Sequence, residues 1–446
     1  MPPKPPTLPG SLPEESPADR ALQLALAGER DAALRWSAAI LRDDPGMPTA
    51  LCLTGRLLGE GGREEAAREA CTTAARRAID VENLPLAVTA AREAERFGAD
   101  VGPLLDEIAE AFCKGSPRQG KGATPPVLLP PAASFTPLPS VLGGVALNNK
   151  ACEIVHECTR KHDEAPRPQI GAAALFSTLD RAGLRDLVEA LEPEWHQAGH
   201  RVMEQGAPGR DAYWVARGEL EATRNRGGSS VQLARLAGGS VFGEMALLSR
   251  SPRSATVVTL RPTIVVRVAK DRLDKVAQGH PEIAVRLGAY CRDRMVQNLL
   301  KTTDVLRVVP EKDLPALVAR FKIVVFEQGG RLVSQDQMPT GLFLIASGEV
   351  AIVRREGDGD PLVLRSLGVG EVVGEVATIL RRKTSADVLA VHPTVTLFLP
   401  TAGLLDLVRQ HPSILAELYL LAVQRDEETA MILDEAPEQA EDVDLT

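Results

Sequence analysis

The chain has 446 residues, 44% of them hydrophobic and 25% charged, a composition with room for about three globular domains at ~150 residues each. A formal net charge of −9 and 3% aromatics exclude a dedicated nucleic-acid binder, which carries a basic face and stacking platforms. No apolar run reaches the ~18 residues of a membrane span, and Met-Pro-Pro-Lys-Pro-Pro followed by Glu14, Glu15 and Asp19 is no signal peptide, so a cytoplasmic protein is expected.

Residues 1–16 are Pro-rich and polar and are expected to be disordered. From 17 to 114 Ala, Leu, Arg and Glu recur at helical spacing. Ala32, Trp36 and Ala39 are matched 35 residues later by Ala67, Cys71 and Ala74, a spacing close to the ~34 of stacked helical hairpins. Small residues at such positions let paired helices approach, and the region resembles tetratricopeptide repeats. Residues 115–168 form a stiff linker rich in proline (Pro125, Pro126, Pro130, Pro131, Pro137, Pro139), broken by a short helix over 146–161. That helix is a docking element or a spacer. It carries Cys152, His156, Cys158 and His162, but at ~100° per residue the two pairs diverge, so no metal site is expected. Six cysteines in a chain this long are too few for a disulfide framework.

The remainder is an internal duplication. Gly218-Glu219-Leu220 recurs 130 residues later as Gly348-Glu349-Val350. Gly243-Glu244 recurs as Gly374-Glu375, and His280-Pro281 as His411-Pro412, each 131 residues later. The one-residue slip belongs at a loop tip between the first two markers. Each copy (169–301 and 302–433) reads as an opening helix (175–191; 311–320), short alternating strands with glycine turns, a Gly-Glu segment, more strands, and a long amphipathic helix. This predicts an α+β protein: N-terminal helical hairpins, then two compact β-barrels or jelly rolls with flanking helices.

The most informative stretch is Phe242-Gly243-Glu244-Met245-Ala246-Leu247-Leu248, followed by Pro252-Arg253-Ser254-Ala255-Thr256. Gly243 permits close backbone approach, the helix start offers free N–H groups to an anion, and Arg253 adds a charge-assisted fork. Glu244 repels anions and suits a neutral donor such as a ribose hydroxyl. The segment resembles the phosphate-binding cassette of the cyclic nucleotide-binding domain family, the cAMP and cGMP sensors. The resemblance implies ligand contacts from Phe242, Gly243, Glu244, Met245, Ala246, Arg253, Ser254 and Ala255. It also implies a base-capping side chain from the following helix, within 290–295. Ser254, after the arginine, favours neither cAMP nor cGMP.

In the second copy the candidate residues are Gly374, Glu375, Val376, Ala377, Thr384 and Ser385. The ribose-type glutamate persists, Thr384 replaces the arginine, and Lys383 is one position off, facing the other side of a strand. Losing a hydrogen bond to a charged group costs ~1.5–3 kcal/mol, roughly 10- to 150-fold in affinity. One competent and one degenerate site are therefore expected.

After Arg425 the chain runs into an acidic tail (434–446) with no helix-turn-helix, which argues against a transcription factor. Scattered histidines and a lone His162-Asp163 pair argue against a metal-dependent phosphodiesterase, and Gly368-x-Gly370-x-x-x-Gly374 is no dinucleotide fingerprint. The sequence thus predicts a non-enzymatic cyclic nucleotide sensor with cAMP or cGMP as ligand and no cofactor or metal. Its output goes to a protein partner through the helical region or linker helix, without nucleic acid or membrane, and the oligomeric state is left open. The competing reading is a scaffold whose two domains have lost ligand.

Overall fold

The computed structural model describes residues 14–435 apart from 121–130, 166, 172–175, 227–228, 249–251, 303–308, 311–312, 314–316, 318 and 356–360. Most of the N-terminal segment expected to be disordered, nearly all of the acidic tail, and most of the second opening helix lie outside the described residues.

The chain begins with six helices: α1 (Pro17–Leu26), α2 (Arg30–Asp43), α3 (Pro48–Glu60), α4 (Glu64–Asp80), α5 (Leu84–Arg96) and α6 (Gly102–Phe112). A capping box starts α1. Ser16 Oγ accepts from the Asp19 N–H, and the Asp19 carboxylate accepts from the Ser16 N–H. The turns α1–α2, α3–α4 and α5–α6 each contain a left-handed glycine (Gly28, Gly62, Gly98). Small side chains set the spacing within this layer: a Cβ on Gly55 would lie 2.6 Å from Cys71 Sγ and 3.0 Å from the Ala70 Cβ. Among the matched repeat positions, Ala39, Ala67, Cys71 and Ala74 are fully buried.

The helix expected inside the linker differs in extent and role. It runs Gly144–Glu164 (α7) and packs on α2, α3 and α4. Leu147, Ala151, Val155 and Cys158 form a buried stripe at helical spacing, so the helix completes the layer and is no isolated spacer. The Pro-rich stretch before it also lies on the layer. The Ala132 N–H donates to the Glu15 carbonyl, the Leu138 N–H to that of Arg35, and Phe135 stacks on Trp36. On α7, Cys158 and His162 point inward while His156 faces out towards Glu69.

The short helix α8 (Arg181–Ala190) begins at a later residue than its sequence expectation, capped by Asp180. Two barrels follow. The first contains β1 (Glu192–His196), β2 (Arg201–Met203), β3 (Asp211–Arg217), β4 (Glu219–Arg226), β5 (Ser229–Ala237), β6 (Val241–Phe242), the turn α9 (Met245–Leu248), β7 (Thr256–Thr259) and β8 (Thr263–Ala269), closed by α10 (Lys270–Gly279) and α11 (Pro281–Thr302). The second repeats this as β9 (Lys322–Phe326), β10 (Arg331–Val333), β11 (Gly341–Ser347), β12 (Val350–Arg354), β13 (Leu362–Leu367), β14 (Val372–Val373), α12 (Glu375–Ile379), β15 (Asp387–Ala390), β16 (Thr394–Pro400), α13 (Thr401–Gln410) and α14 (Pro412–Glu435). Each barrel has two antiparallel four-stranded sheets, ordered β1-β8-β3-β6 with β2-β7-β4-β5, and β14-β11-β16-β9 with β10-β15-β12-β13. Pairing locates the slip. Arg224 faces Val231 in one copy and Arg354 faces Leu362 in the other, so the extra residue lies in the hairpin tip beyond those pairs.

The central strand of each barrel is apolar on both faces. Tyr213 and Val215 point between the sheets, with Leu220, Phe242 and Val257. Ala212, Trp214 and Ala216 alternate to the outer face, where they join one continuous core with the helical layer. In the second barrel Leu342, Leu344 and Ala346 face outward onto α13 and α14 instead.

An ionic joint ties the helical layer to the first barrel. The buried Asp19 receives Arg217 at 2.7 Å and Arg261 at 2.9 Å, and Asn83 donates to the Ala216 carbonyl at 2.8 Å. Arg56 lies over the Trp195 ring. Burial alone pushes the Asp19 carboxyl up, but the Arg217 charge and hydrogen bonds from Ser16 outweigh it and hold it below its ordinary 3.8. A depressed carboxyl stabilises the fold fully above that ordinary value and stops doing so as pH falls through the lower, folded-state value. Asp19→Ala, which leaves two arginines half-enclosed without their counter-charge, is expected to cost about 3–5 kcal/mol in denaturant unfolding at neutral pH. The gap between wild type and variant should narrow as pH falls below that ordinary value of 3.8; a gap constant with pH would show that this joint is not ionic.

Candidate functional site

In the first barrel, β6 pairs with β3 and brings Phe242 onto Tyr213, ring centroids 5.1 Å apart. Gly243 follows with φ 72°, and a Cβ there would meet both the Arg253 guanidinium (3.0 Å) and the Asp211 carbonyl (3.1 Å). Glu244 is buried, and the helix expected after it is a single four-residue turn, α9. So short a turn has little macrodipole, so the charge offered to an anion has to come from side chains such as Arg253. Met245 is half-buried and packs against the core of the second barrel. The side chain of Ala246 lies outside the described residues.

Arg253 is 9% exposed, and its Nη1 donates only to carbonyl oxygens, of Asp211 (2.8 Å) and Gly243 (3.2 Å). No carboxylate lies within ion-pairing distance of it among the described residues. Burial lowers its pKa, and the fields of Tyr213, Asp211 and Glu244 offset this only in part. A buried cation without a counter-anion is costly and gains from any anion that reaches it. The side chain lies flat on Gly209, where a Cβ would fall 2.0 Å from Arg253 Nε. Ser254 is half-buried with its carbonyl accepting from Arg224 Nε at 3.0 Å, and Ala255 is buried.

The second copy has the same backbone with different chemistry. The Arg253 N–H donates to the Ala207 carbonyl, and the Thr384 N–H donates to that of Gln337, so the two positions superpose. Gly374 has φ 89°, and a Cβ on it would fall 2.8 Å from the Gly341 carbonyl. Thr384 is buried, its hydroxyl donating to the Ser334 carbonyl and accepting from the Gln337 N–H. Where the first copy has Gly209 the second has Pro339. The space for a flat arginine and the arginine itself are lost together. Glu375 is 2% exposed and receives Arg425 Nη1 at 2.5 Å; Arg425, on α14, also donates to the Val372 carbonyl. A small recess of about 60 Å3 lies between this cassette and α14. Val376 is half-buried, Ala377 buried and Ser385 exposed at its lining, with Lys383 exposed beside them.

Three contributors escaped the sequence reading: Arg425, Gly209 and Asp211. The duplication held the signal for the first two. The 131-residue offset puts Arg425 over Arg294, inside the 290–295 window expected to cap the base, and the 130-residue offset puts Pro339 over Gly209. The side chains of 291–295 lie outside the described residues. Asp211 contributes a backbone carbonyl, which residue type does not announce.

The two barrels meet at the first cassette. Ser347 Oγ donates to the Pro252 carbonyl at 3.1 Å. A cavity of about 300 Å3 beside this contact is lined by Arg224, Arg253 and Ser254 from the first barrel and Glu349, Glu371 and His392 from the second.

Comparison with known proteins agrees with the duplication. The cyclic nucleotide-binding domain model matches twice, at residues 193–280 and 323–411, so the chain carries tandem cyclic nucleotide-binding domains. It is similar to cGMP-dependent protein kinase 2 of Rattus norvegicus, 26% identical over 293 residues, which cover 63% of this chain and 36% of the kinase. It is also similar to the cAMP-dependent protein kinase regulatory subunit of Yarrowia lipolytica, 25% identical over 273 residues, covering 58% of this chain and 67% of that one. The chain thus spans about a third of the length of the kinase it matches. Among solved structures, the regulatory domain of Toxoplasma gondii PKA with cAMP covers 57% of this chain and 92% of its own, at 22% identity and a TM-score of 0.28. Among the described residues no helix is long and apolar enough to cross a membrane.

Breaking a buried ion pair from one side strands the other charge. Arg425→Ala should therefore destabilise the second barrel by about 3–5 kcal/mol in chemical denaturation, and adding Glu375→Gln should recover much of that loss. Equal stability of Arg425→Ala and wild type would show that α14 is not fastened by this pair.

Proposed function

We propose that the chain is a non-enzymatic cyclic nucleotide sensor, acting in the cytoplasm, in which the first cassette binds cAMP or cGMP and the second is degenerate. The observation that carries this reading is Arg253. Among the described residues it is a buried guanidinium with only neutral acceptors, beside a left-handed glycine and a buried glutamate. A cyclic phosphate supplies the missing anion to Arg253, while Glu244 accepts from a ribose hydroxyl. Phe242, Met245, Ala246, Ser254 and Ala255 line the same segment. The similarity to a kinase regulatory subunit and to a cGMP-dependent kinase supports a regulatory role for these domains. The signal leaves through protein contacts: the helical layer shares one core with the first barrel, and α7 is part of that layer. Such a layer serves as a partner-binding module of the tetratricopeptide kind.

The second copy is read as support for the first. Its cassette has a satisfied threonine in place of the arginine, and its glutamate is already held by Arg425.

Calorimetry with cAMP and cGMP tests the assignment. Wild type should bind at least one with a single site per chain. Arg253→Ala should weaken it about 10- to 150-fold, and Gly209→Ala, which displaces the arginine, should act in the same direction. Arg425→Ala should leave the stoichiometry at one. Absence of binding at millimolar ligand would favour the scaffold reading, and binding indifferent to Arg253→Ala would place the ligand elsewhere.

A further inference from the structure

The corner where α10 gives way to α11 carries a group of side chains that the cassette does not use. His280 ends α10, Glu282 lies in the first turn of α11, and α8 begins against them at Asp180. Ligand-type atoms of Asp180, His280 and Glu282 all lie within 4.8 Å of one another. His280 Nε2 is 3.0 Å from Asp186 Oδ2, and its Nδ1 is 3.6 Å from Glu282 Oε1. With the Nε2 proton donated to Asp186, Nδ1 keeps a lone pair and faces a carboxylate, two acceptors with no hydrogen between them. Gly183 leaves this side of the ring open, since a Cβ there would lie 3.2 Å from Nδ1 and 3.1 Å from Asp180 Oδ1. Among the described residues, no lysine or arginine stands within ion-pairing distance of Asp180, Asp186 or Glu282, so three carboxylates share one imidazole.

The needs of helix starts explain part of this. Asp180 caps α8, its Oδ1 accepting from the Gly183 N–H at 2.7 Å, and Glu282 suits the first turn of α11. Asp186 lies beyond the first turn of α8, and it orients the ring instead. The duplicated barrel supplies an internal control. It keeps the histidine as His411 but has Pro310, Ala316 and Ser413 at the positions of Asp180, Asp186 and Glu282. There Asp313, at the position of Gly183, approaches His411 Nε2 to 3.8 Å. The corner between the closing helices therefore forms without any of the three carboxylates, which are an addition particular to the first barrel.

We propose that Asp180, His280 and Glu282 bind a divalent first-row transition-metal ion such as Zn2+, with Asp186 orienting the imidazole. One neutral nitrogen and two carboxylate oxygens are a donor set for that class of ion, and a carboxylate on the far ring nitrogen is its usual support. In a tetrahedral site with bonds of about 2.1 Å the ligand atoms lie about 3.4 Å apart, close to the 3.6 Å between His280 and Glu282. Asp180 and Glu282 are exposed and able to close the remaining distance by changing rotamer, and water completes the coordination. The ion supplies the positive charge that the three carboxylates lack. It fastens the start of α8 to the corner between the two helices that close the first barrel. It touches neither Arg253 nor Glu244, so the site does not rest on the reading of the cassette.

The test is calorimetry of the full chain, treated with a chelator and dialysed free of it, with Zn2+ as the probe and Mg2+ as the control. Wild type is expected to bind a saturable equivalent of Zn2+ that Mg2+ does not displace, and to melt at a higher temperature with it. Glu282→Ser, which imitates the second barrel, and Asp180→Asn, which keeps a good helix cap, should each weaken that equivalent by about tenfold or more. Asp186→Asn leaves all three ligands in place. It should weaken Zn2+ about tenfold while the melting temperature of the metal-free chain stays unchanged. His280→Ala should abolish the site; if that variant does not fold, the two exposed carboxylate variants decide. Absence of saturable Zn2+ binding overturns the inference. So does Zn2+ binding that survives both Glu282→Ser and Asp180→Asn unchanged, because it places the ion on cysteines or other histidines. Displacement of Zn2+ by an equal concentration of Mg2+ would also overturn it, since a site built on imidazole discriminates against Mg2+.

Discussion

The constraint on which the rest of this structure depends is the double-faced central strand of each barrel. Every residue from Ala212 to Ala216 is buried, and so is every one from Leu342 to Ser347. A strand that is apolar on both sides cannot rest in an open sheet facing water on one side. The inner face is satisfied by the opposite sheet of the barrel. The outer face needs another cover, and the two copies find different ones. In the first copy the N-terminal helices share the task with α8, α10 and α11; in the second α13 and α14 do so. The helical layer is therefore part of the first barrel's core, and the Asp19 joint closes its edge.

The two cassettes show how little backbone has to change for the chemistry to differ. Both use a left-handed glycine after a two-residue strand, and both tie the loop to the preceding hairpin by the same hydrogen bonds. Both also bury a glutamate, Glu244 or Glu375. In the first, the loop itself supplies a buried guanidinium, Arg253, which donates to carbonyl oxygens. In the second the guanidinium comes from the closing helix, which brings Arg425 to Glu375. The residue beneath each position follows suit. Gly209 leaves room for a guanidinium to lie flat, while Pro339 accompanies a threonine whose hydroxyl needs only backbone partners.

Much of this was legible in the sequence, for identifiable reasons. The α+β architecture followed from helical spacing before residue 114 and alternating strands after 190, signals that burial imposes directly. The slip between the copies was readable as a loop-tip insertion, and the strand registers place it there. The extent and docking of α7 were not read, because neighbouring prolines suggested a linker while its stripe of Leu147, Ala151, Val155 and Cys158 is short and mixed with charges. Arg425 was hidden for a related reason: it stands among Asp426, Glu427 and Glu428 and looks like a solvated face. Only the fold shows that α14 turns it onto Glu375. Gly209 was missed because one glycine in a Pro-Gly loop looks like a turn, and its use as a platform needs the arginine above it.

The hydrogen bond from Ser347 to the Pro252 carbonyl has a consequence for how such a duplication persists. The turn of the second barrel that makes this contact rests on the peptide immediately before Arg253. It gives the first cassette a wall. Deleting the second barrel would expose the loop that holds Arg253, so the first cassette depends on its neighbour for a surface to lean on, whatever that neighbour binds.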